Sequence, residues 1–197
     1  MKKILILLSL IGFTASAQEK LWTEADRQYT LDNMKRTRDD LVKETESLTS
    51  EQWKFKESPD RWSIADVVEH LGNWEIIWAR EIEIGSWSKP SPELLATSKP
   101  DSYYHEFIME EKSHDASDIS RPMGFIEGKN NITRFVKLRD DNIKFIEKTN
   151  ADMRAIFEFA NTDYSRNMHQ VYIYQWGHID RHLRQIRKVK ADKNYPK

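Results

Sequence analysis

The chain has 197 residues with a formal net charge of -1 at neutral pH, and 39% of its residues are hydrophobic. This size is enough for one domain with a substantial core. The near balance of charges gives no indication of a nucleic-acid partner. The absence of cysteine excludes disulfides, thiolate metal ligands and thiol nucleophiles, so any chemistry must use histidines, carboxylates, hydroxyls or a bound ion.

The first residues predict a cleavable signal peptide. A short basic start over residues 1–3 precedes an apolar run over residues 4–13 and the small-residue pattern ASA at 15–17. The apolar run is well short of the ~20 residues that span a bilayer. We therefore expect residues 1–17 to be removed and residues 18–197 to form a single domain. That domain would be exported to the periplasm or beyond the cell, with no stable membrane anchor after cleavage.

The spacing of apolar residues predicts an all-α domain built on four long helices. The predicted helices cover residues 23–48, 63–84, 131–149 and 167–188. Thr23 and Ser63 are predicted N-caps, because each is followed three residues later by an aspartate that suits the first turn of a helix. Residues 49–62 are predicted to be a connection, and residues 152–159 a short apolar piece at the end of the bundle.

The connection between the second and third predicted helices, residues 86–129, is long and irregular. It contains four prolines and many serine, aspartate and histidine residues. A connection of this length inside a compact domain is usually functional or a crossover between distant helix ends, and a long crossover is what joins two parallel helices of a bundle. Its histidines, His105 and His114, could contribute to a site, although loop histidines in polar surroundings are more often solvated.

Two histidines on the last predicted helix and one on the second are candidate metal ligands. His178 and His182 are four residues apart, so on a helix their rings lie on one face and can reach one metal ion. Two ligands are too few for a stable site, and His70, on the inner apolar stripe of the second helix, is the best candidate for a third. The alternative is that all three are core or surface histidines whose ring nitrogens have ordinary hydrogen-bond partners, because an H-x-x-x-H pair often occurs by chance.

A site of three neutral imidazoles would suit Zn, Ni, Cu or Fe(II) and would leave at least one position open for water or a substrate atom. A metal-bound histidine normally donates its other ring N–H to an acceptor. The carboxylates of Asp66, Glu69 and Asp180 lie near the candidate ligands in sequence and are predicted alternatives for that role.

Several segments resemble the DinB/YfiT-like superfamily, and together they cover essentially the whole of residues 18–197. Residues 62–71 (WSIADVVEHL) look like the second-helix signature of that family, and residues 177–186 (GHIDRHLRQI) are similar to its closing H-x-x-x-H helix. Further similarities lie at residues 48–53 (LTSEQW), 138–141 (LRDD) and 152–153 (DM). The order and spacing of these segments make the resemblance fairly specific.

The resemblance implies a four-helix bundle with up-down-down-up topology, in agreement with a long crossover between the second and third predicted helices. It also implies a metal triad of His70, His178 and His182 for nickel, zinc or another divalent ion. Characterised members include thiol-dependent S-transferases and isomerases, many others have no known activity, and no DNA binding is implied. The connection over residues 86–129 is specific to this chain, so we expect it to cover or shape the mouth of the site.

Four residues beside the candidate ligands are expected to line a cavity: Asn73, Trp74, Tyr174 and Arg181. They lie about one helical turn or less from a ligand. The hydroxyl of Tyr174 could meet a ligand, and ordinary core packing is the alternative for Tyr174 and Trp74. The guanidinium of Arg181 could hold an anionic substrate group or form a salt bridge to a neighbouring helix.

The sequence therefore predicts an exported four-helix bundle that carries a divalent metal ion, Zn, Ni or Fe. The favoured function is a metal-dependent enzyme, either a transferase or a hydrolase, that acts on a small-molecule substrate. The alternative is a non-catalytic bundle protein that binds a metal or a small molecule. A homodimer is compatible with such a bundle, and nucleic acid is not expected as a partner.

Overall fold

A computed structural model describes residues 20–112, 114–158 and 166–197, and most of this part of the chain is α-helical. The helices are α1 (Glu24–Thr45), α2 (Ser50–Lys54), α3 (Ile64–Ser86), α4 (Asp101–Met109), α5 (Gly128–Lys148) and α6 (Met168–Lys190). The four long helices form a bundle in which α1 and α3 each pack against α5 and α6. None of the described helices is long and apolar enough to cross a lipid bilayer. The predicted signal peptide, residues 1–17, lies outside the described residues.

Capping boxes define where three of the long helices begin, as predicted for α1 and α3. The backbone N–H of Asp26 donates to the hydroxyl of Thr23, and the backbone N–H of Thr23 donates to the carboxylate of Asp26. Ser63 and Asp66 form the same pair of hydrogen bonds before α3. The side chain of Asn167 caps α6 in the same way. These local bonds satisfy backbone donors that the first turn of a helix leaves without partners.

Two helices lie in segments that the sequence analysis left irregular. The helix α2 has five residues, and α4 has nine residues within the 86–129 connection. The packing of α4 against α6 buries Tyr104 and Ile108. Gly177 permits this close approach, because a Cβ there would lie 2.7 Å from Cγ2 of Ile108. Helices this short depend on tertiary packing, so their sequences carry only a weak periodic signal. The prolines in these segments therefore led to the prediction of irregular connections.

The short apolar piece predicted over residues 152–159 forms a turn and an extended stretch. Met153, Ile156 and Phe157 are buried in it. Phe157 pairs with Asn167 in an isolated antiparallel bridge at the start of α6. The last position of the predicted piece, 159, lies outside the described residues.

The centre of the bundle is polar. Glu75 on α3 and Arg139 on α5 are fully buried, with Nε of Arg139 2.9 Å from Oε2 of Glu75 and Nη2 2.6 Å from Oε1. Gln175 on α6 donates to the same carboxylate at 3.0 Å. The guanidinium also donates to the hydroxyl of Thr37 on α1 at 3.1 Å. One bidentate ion pair therefore joins all four long helices.

Two apolar clusters flank this polar layer. The first includes Met34, Trp78, Ile143 and Trp176, and the second includes Leu41, Leu71, Phe135 and Ile179. From the first cluster to the second, residue numbers rise along α1 and α6 and fall along α3 and α5. The up-down-down-up topology itself stays a prediction.

A second group of ion pairs ties Arg154 to the starts of α1 and α4. Nη2 of Arg154 lies 2.7 Å from Oδ1 of Asp26 and 2.9 Å from Oδ2 of Asp101. Burial raises the pKa of Asp26, but hydrogen bonds from Arg154 and Thr23 outweigh it and lower that pKa to about 2. Burial likewise opposes ionisation of Asp101, but hydrogen bonds from His169 and Arg154 hold the pKa of this carboxyl well below its usual range. Both groups are therefore carboxylates except in strong acid.

The substitution Arg139→Met should destabilise the fold strongly, because the Glu75 carboxylate would stay buried without its cation. Loss of one partner of a buried ion pair costs about 3–5 kcal/mol, and we expect a decrease of that size in the free energy of unfolding measured with urea. The control is Lys137→Met on the same helix, where the ion pair with Asp141 is exposed. That change should alter the free energy by less than about 0.5 kcal/mol, and equal losses in both variants would contradict a central role for the buried pair.

The substitution Arg154→Met should make the fold less sensitive to acid. Carboxylates with depressed folded-state pKa values contribute stability that is fully present above their unfolded-state pKa of 3.8 and is lost as the pH falls through the folded-state values. The difference in free energy of unfolding between parent and variant should be largest near neutral pH and should shrink as the pH falls toward about 2. Urea denaturation over a pH series measures it, and a difference that does not vary with pH would refute the assignment.

Candidate metal centre

Three histidines from two helices meet in one buried site. His70 belongs to α3, whereas His178 and His182 belong to α6. The Nε2 atoms of His178 and His182 are 3.0 Å apart, and those of His70 and His178 are 3.4 Å apart. The structure thus brings together the three side chains that the sequence proposed as ligands.

The helix spacing and the central polar layer explain this convergence. His178 and His182 lie one turn apart on the inner face of α6, as their separation of four residues requires. On α3, Glu75 follows His70 by five residues, and on α6, Gln175 precedes His178 by three. The hydrogen bond of 3.0 Å between Gln175 and Glu75 therefore fixes the register of the two helices close to the histidines.

Hydrogen bonds determine the tautomers of two of the rings. Nδ1 of His70 lies 2.9 Å from the carbonyl oxygen of Ser120, and Nδ1 of His182 lies 2.8 Å from Oε1 of Gln185. An oxygen acceptor requires the proton to be on Nδ1, so both Nε2 atoms direct lone pairs into the site. Nδ1 of His178 is buried and has no hydrogen-bond partner in the described part of the chain.

Burial keeps the three imidazoles neutral. It lowers the pKa of His70 to about 4, against the opposing effect of the hydrogen bond to Ser120. It lowers the pKa of His182 to about 3, with a further decrease from His70. Burial, together with the two neighbouring histidines, lowers the pKa of His178 well below its usual value. At neutral pH each ring therefore offers a lone pair rather than a positive charge.

A divalent metal ion fits this arrangement. Metal–nitrogen distances of about 2.0–2.1 Å place the nitrogens of a tetrahedral site roughly 3.3 Å apart, close to the 3.0 and 3.4 Å found here. Nε2 of His178 can donate to only one of its two neighbours, His182 at 3.0 Å or His70 at 3.4 Å, so without a cation the other buried lone pair has no donor. No fourth histidine or carboxylate joins the group within the described ranges, so a position stays open for water or substrate. Three neutral imidazoles suit Zn, Ni, Cu or Fe(II).

The three carboxylates predicted to orient the ligands have other partners, so that prediction was wrong. Asp66 accepts hydrogen bonds from Ser63 in the capping box of α3. Asp180 pairs with Arg36 at 2.8 Å. Glu69 accepts hydrogen bonds from backbone N–H groups of the 86–129 connection. The two ring Nδ1 atoms that have acceptors bond to other groups.

The acceptors are instead the carbonyl of Ser120 and the side-chain amide of Gln185. Gln185 carried a sequence signal, because it lies three residues after His182 and therefore on the same face of α6. The Ser120 carbonyl is 50 residues from His70 along the chain. A backbone carbonyl has no residue-type signature, so only the fold of the connection reveals it.

Glu69 anchors the connection over the site. Its buried carboxylate accepts hydrogen bonds from the backbone N–H of Met123 at 2.9 Å and of Gly124 at 3.0 Å. Gly124 has a φ of 72°, a left-handed conformation that glycine adopts readily. This turn holds the preceding residues of the connection, including Ser120, against α3.

The triad opens into a cavity of about 1040 Å³. Its aromatic wall consists of Trp62, Trp74, Trp78, Phe107 and Tyr174. The rings of Trp74 and Trp78 stack with centroids 4.5 Å apart, and the ring of Trp62 lies 4.9 Å from that of His70. Residues of the connection between 107 and 122 form another side of the cavity, so the connection shapes the mouth of the site as predicted.

Three of the four residues expected beside the ligands line this cavity: Trp74, Tyr174 and Arg181. The fourth, Asn73, lies behind the wall. Its side-chain amide donates to the carbonyls of Ser120 and Arg121 and accepts a hydrogen bond from Arg134 at 2.9 Å. Asn73 therefore supports the connection from α3.

The guanidinium of Arg181 also holds the connection in place through hydrogen bonds. It donates to three backbone carbonyls at the end of α4 and just beyond it, those of Ile108, Glu110 and Lys112. These bonds hold the connection against α6. The salt bridge to a neighbouring helix, which was the alternative, is not formed by this side chain among the described residues. Its contact with an anionic substrate group stays a prediction.

The two histidines of the connection do not join the triad. His105 on α4 packs against Trp176, with ring centroids 4.9 Å apart. His114 pairs with Glu110 and lines the outer part of the cavity. The predicted ligands thus lie on α3 and α6, whereas these two histidines lie on the connection.

Comparisons with known proteins agree with the helical fold. The family model of the DinB superfamily matches residues 33–186. The fold is similar to that of YfiT from Bacillus subtilis, described as a probable metal-dependent hydrolase with an unusual four-helix bundle topology. The TM-score is 0.59 and the sequence identity 11%, over 85% of this chain and 87% of YfiT, a likeness that establishes the fold. A search of curated protein sequences gave no match.

The substitution Glu69→Gln should loosen the turn that carries the Ser120 carbonyl. The carboxamide keeps one acceptor oxygen, but its NH₂ group opposes the second backbone N–H. A hydrogen bond to a charged group contributes about 1.5–3 kcal/mol, so the amide hydrogens of Met123 and Gly124 should exchange with solvent about tenfold faster or more. Hydrogen exchange measures this, with the exposed Glu83→Gln on the same helix as the control. Unchanged exchange at the two amides would contradict the anchoring role.

Proposed function

The chain belongs to the DinB superfamily, and on that premise we propose that it is a metal-dependent hydrolase with a divalent ion on His70, His178 and His182. The observation that carries the proposal is the convergence of three buried, neutral Nε2 atoms with no fourth ligand among the described residues. A structural metal site is usually closed by four protein ligands, whereas a catalytic site keeps a position open. Hydrolysis rather than group transfer is favoured by the description of YfiT.

Different groups of residues would have different roles in the reaction. The three histidines would hold the ion, which lowers the pKa of a bound water to about 7 and polarises an acyl or phosphoryl oxygen. Ser120 and Gln185 orient two of these rings through Nδ1. The aromatic wall would exclude bulk water from one side and pack against the apolar part of a substrate. Side chains able to accept or donate a proton, Glu111, His114 and Asp115, also line the cavity.

The alternative is a non-catalytic protein that binds a metal or a small molecule. It would use the same triad, but it would need neither an open metal position nor proton-transferring groups beside it. A cavity of about 1040 Å³ is far larger than an ion requires, and it is the size of a small-molecule site. The cavity size fits both functions. The open metal position and the proton-transferring side chains favour an enzyme, and turnover separates the two functions.

Export and assembly also belong to the proposal. Residues 1–17 carry the sequence pattern of a cleavable signal peptide, and cleavage would release residues 18–197 into the periplasm or the medium. The balanced charge supports a small-molecule substrate rather than a nucleic acid. A homodimer stays a prediction.

Metal content tests the proposed site directly. The purified protein, without affinity-tag histidines or chelator, should contain about one equivalent of a divalent metal, and His178→Ala should contain almost none, because two ligands do not form a stable site. Elemental analysis measures both after incubation with Zn, Ni, Mn or Fe(II). His105→Ala is the matched control, because it removes a histidine that packs against α6 outside the cavity wall, and it should keep the metal.

Turnover tests the enzyme assignment. The metal-loaded protein should hydrolyse at least one member of a panel of nitrophenyl carboxylic and phosphoric esters, and a chelator or His178→Ala should abolish that activity. Failure of the parent to bind any metal would overturn the proposal as a whole. Stoichiometric metal without turnover on any ester would instead favour the non-catalytic alternative.

A further inference from the structure

We infer that the metal cavity selects an organic anion, with an apolar body against the tryptophan wall and a carboxylate or phosphate group at Lys188 and Arg61. The inference rests on the proposed function, because it names the class of substrate for the same site. The charges that line the cavity and the two cations without strong partners carry the inference.

The cavity is more positive than the chain as a whole. Five basic residues line it, Arg61, Arg121, Arg181, Arg184 and Lys188, against three acidic residues, Asp60, Glu111 and Asp115. The whole chain has a formal charge of -1. Three neutral histidine ligands would leave the charge of a divalent ion uncompensated within this cavity. A concave site with an excess of one sign of charge concentrates ligands of the opposite sign.

Three of the five cations are already engaged by the chain. Arg181 and Arg184 donate to backbone carbonyls at the end of α4. Arg121 pairs with Asp118 at 3.4 Å and donates to the carbonyl of Ala116. These side chains contribute charge to the cavity, but their N–H groups hold the connection.

The other two cations are available to a ligand. Lys188 is exposed, and within the described ranges its ammonium group forms neither an ion pair nor a hydrogen bond. Arg61 has one ion-pair contact, with Glu57 at 3.7 Å, which is long for a hydrogen bond. Both side chains line the same cavity. A carboxylate or phosphate there would supply the acceptors that these donors lack.

The helix α6 sets the distance between the two ends of such a ligand. Lys188 follows His182 by six residues, which is about 9 Å along the axis at a rise of 1.5 Å per residue. Arg61 precedes Trp62, whose ring lies 4.9 Å from that of His70. A ligand that reaches from the metal position toward Lys188 therefore spans on the order of 9 Å along α6, within a cavity that Trp62 and Trp74 also line.

Calorimetric titration of the full-length protein with three probes that share one apolar tail tests the inference. The probes are phenylbutyrate, phenylbutyl phosphate and the neutral phenylbutanamide. The metal-free protein is used first, so that an anion cannot bind simply to the metal. We expect at least one anion to bind about tenfold more tightly than the amide, since two partly exposed cations each favour it about three- to fivefold. Whichever anion binds more tightly identifies the group.

The variants Lys188→Met and Arg61→Met should each weaken anion binding about three- to fivefold and leave amide binding unchanged. Lys144→Met, which removes an exposed lysine of α5 outside the cavity, should change neither. Equal affinity for the three probes, or an anion preference that survives both substitutions, would overturn the inference. Metal content distinguishes the two proposals. A protein that holds one equivalent of metal but shows no anion preference would refute this inference and leave the proposed function intact. A protein that prefers the anions but binds no metal would refute the proposed function and retain only the anion site.

Discussion

The buried ion pair between Glu75 and Arg139 is the interaction on which the bundle depends. Charges removed from water are stable only when their geometry and remaining hydrogen bonds are nearly complete, and this pair draws those bonds from all four long helices. A helix that slid along its neighbours would leave a charged group without a partner. Apolar packing alone tolerates such shifts far better. The polar layer therefore sets the register in which His70 faces His178.

The site combines a rigid part and a variable part. The bundle supplies the three histidines, while the 86–129 connection supplies the Ser120 carbonyl and much of the cavity wall. The connection is held by side chains next to the ligands, Glu69 beside His70 and Arg181 beside His182. Ligand geometry and cavity shape are thus coupled through adjacent residues. Loops on a rigid scaffold can change specificity while the chemistry is kept, so a common bundle does not determine one substrate.

Burial gives the histidines their chemistry. In water an imidazole is partly protonated near neutral pH, but removal from solvent lowers the three pKa values and leaves lone pairs at a common point. The same neutrality leaves the charge of a bound ion uncompensated by its ligands. The aromatic rings around the site reduce the local dielectric constant. The electrostatic interactions of any charge that enters the site are therefore stronger than in water. Acidic ligands in the same fold would have produced a less electrophilic centre.

The sequence by itself determined the long helices, their capping boxes and the three histidines, because periodicity and capping depend on residues within a turn of one another. The resemblance of residues 62–71 and 177–186 to a known family joined the two halves of the triad. Only the tertiary structure decided the short helix α4, the Ser120 carbonyl beside His70 and the anchoring by Glu69. These contacts join backbone groups to side chains as many as 55 residues away. No local pattern records such a contact, since its partner is fixed only when the connection folds onto the bundle.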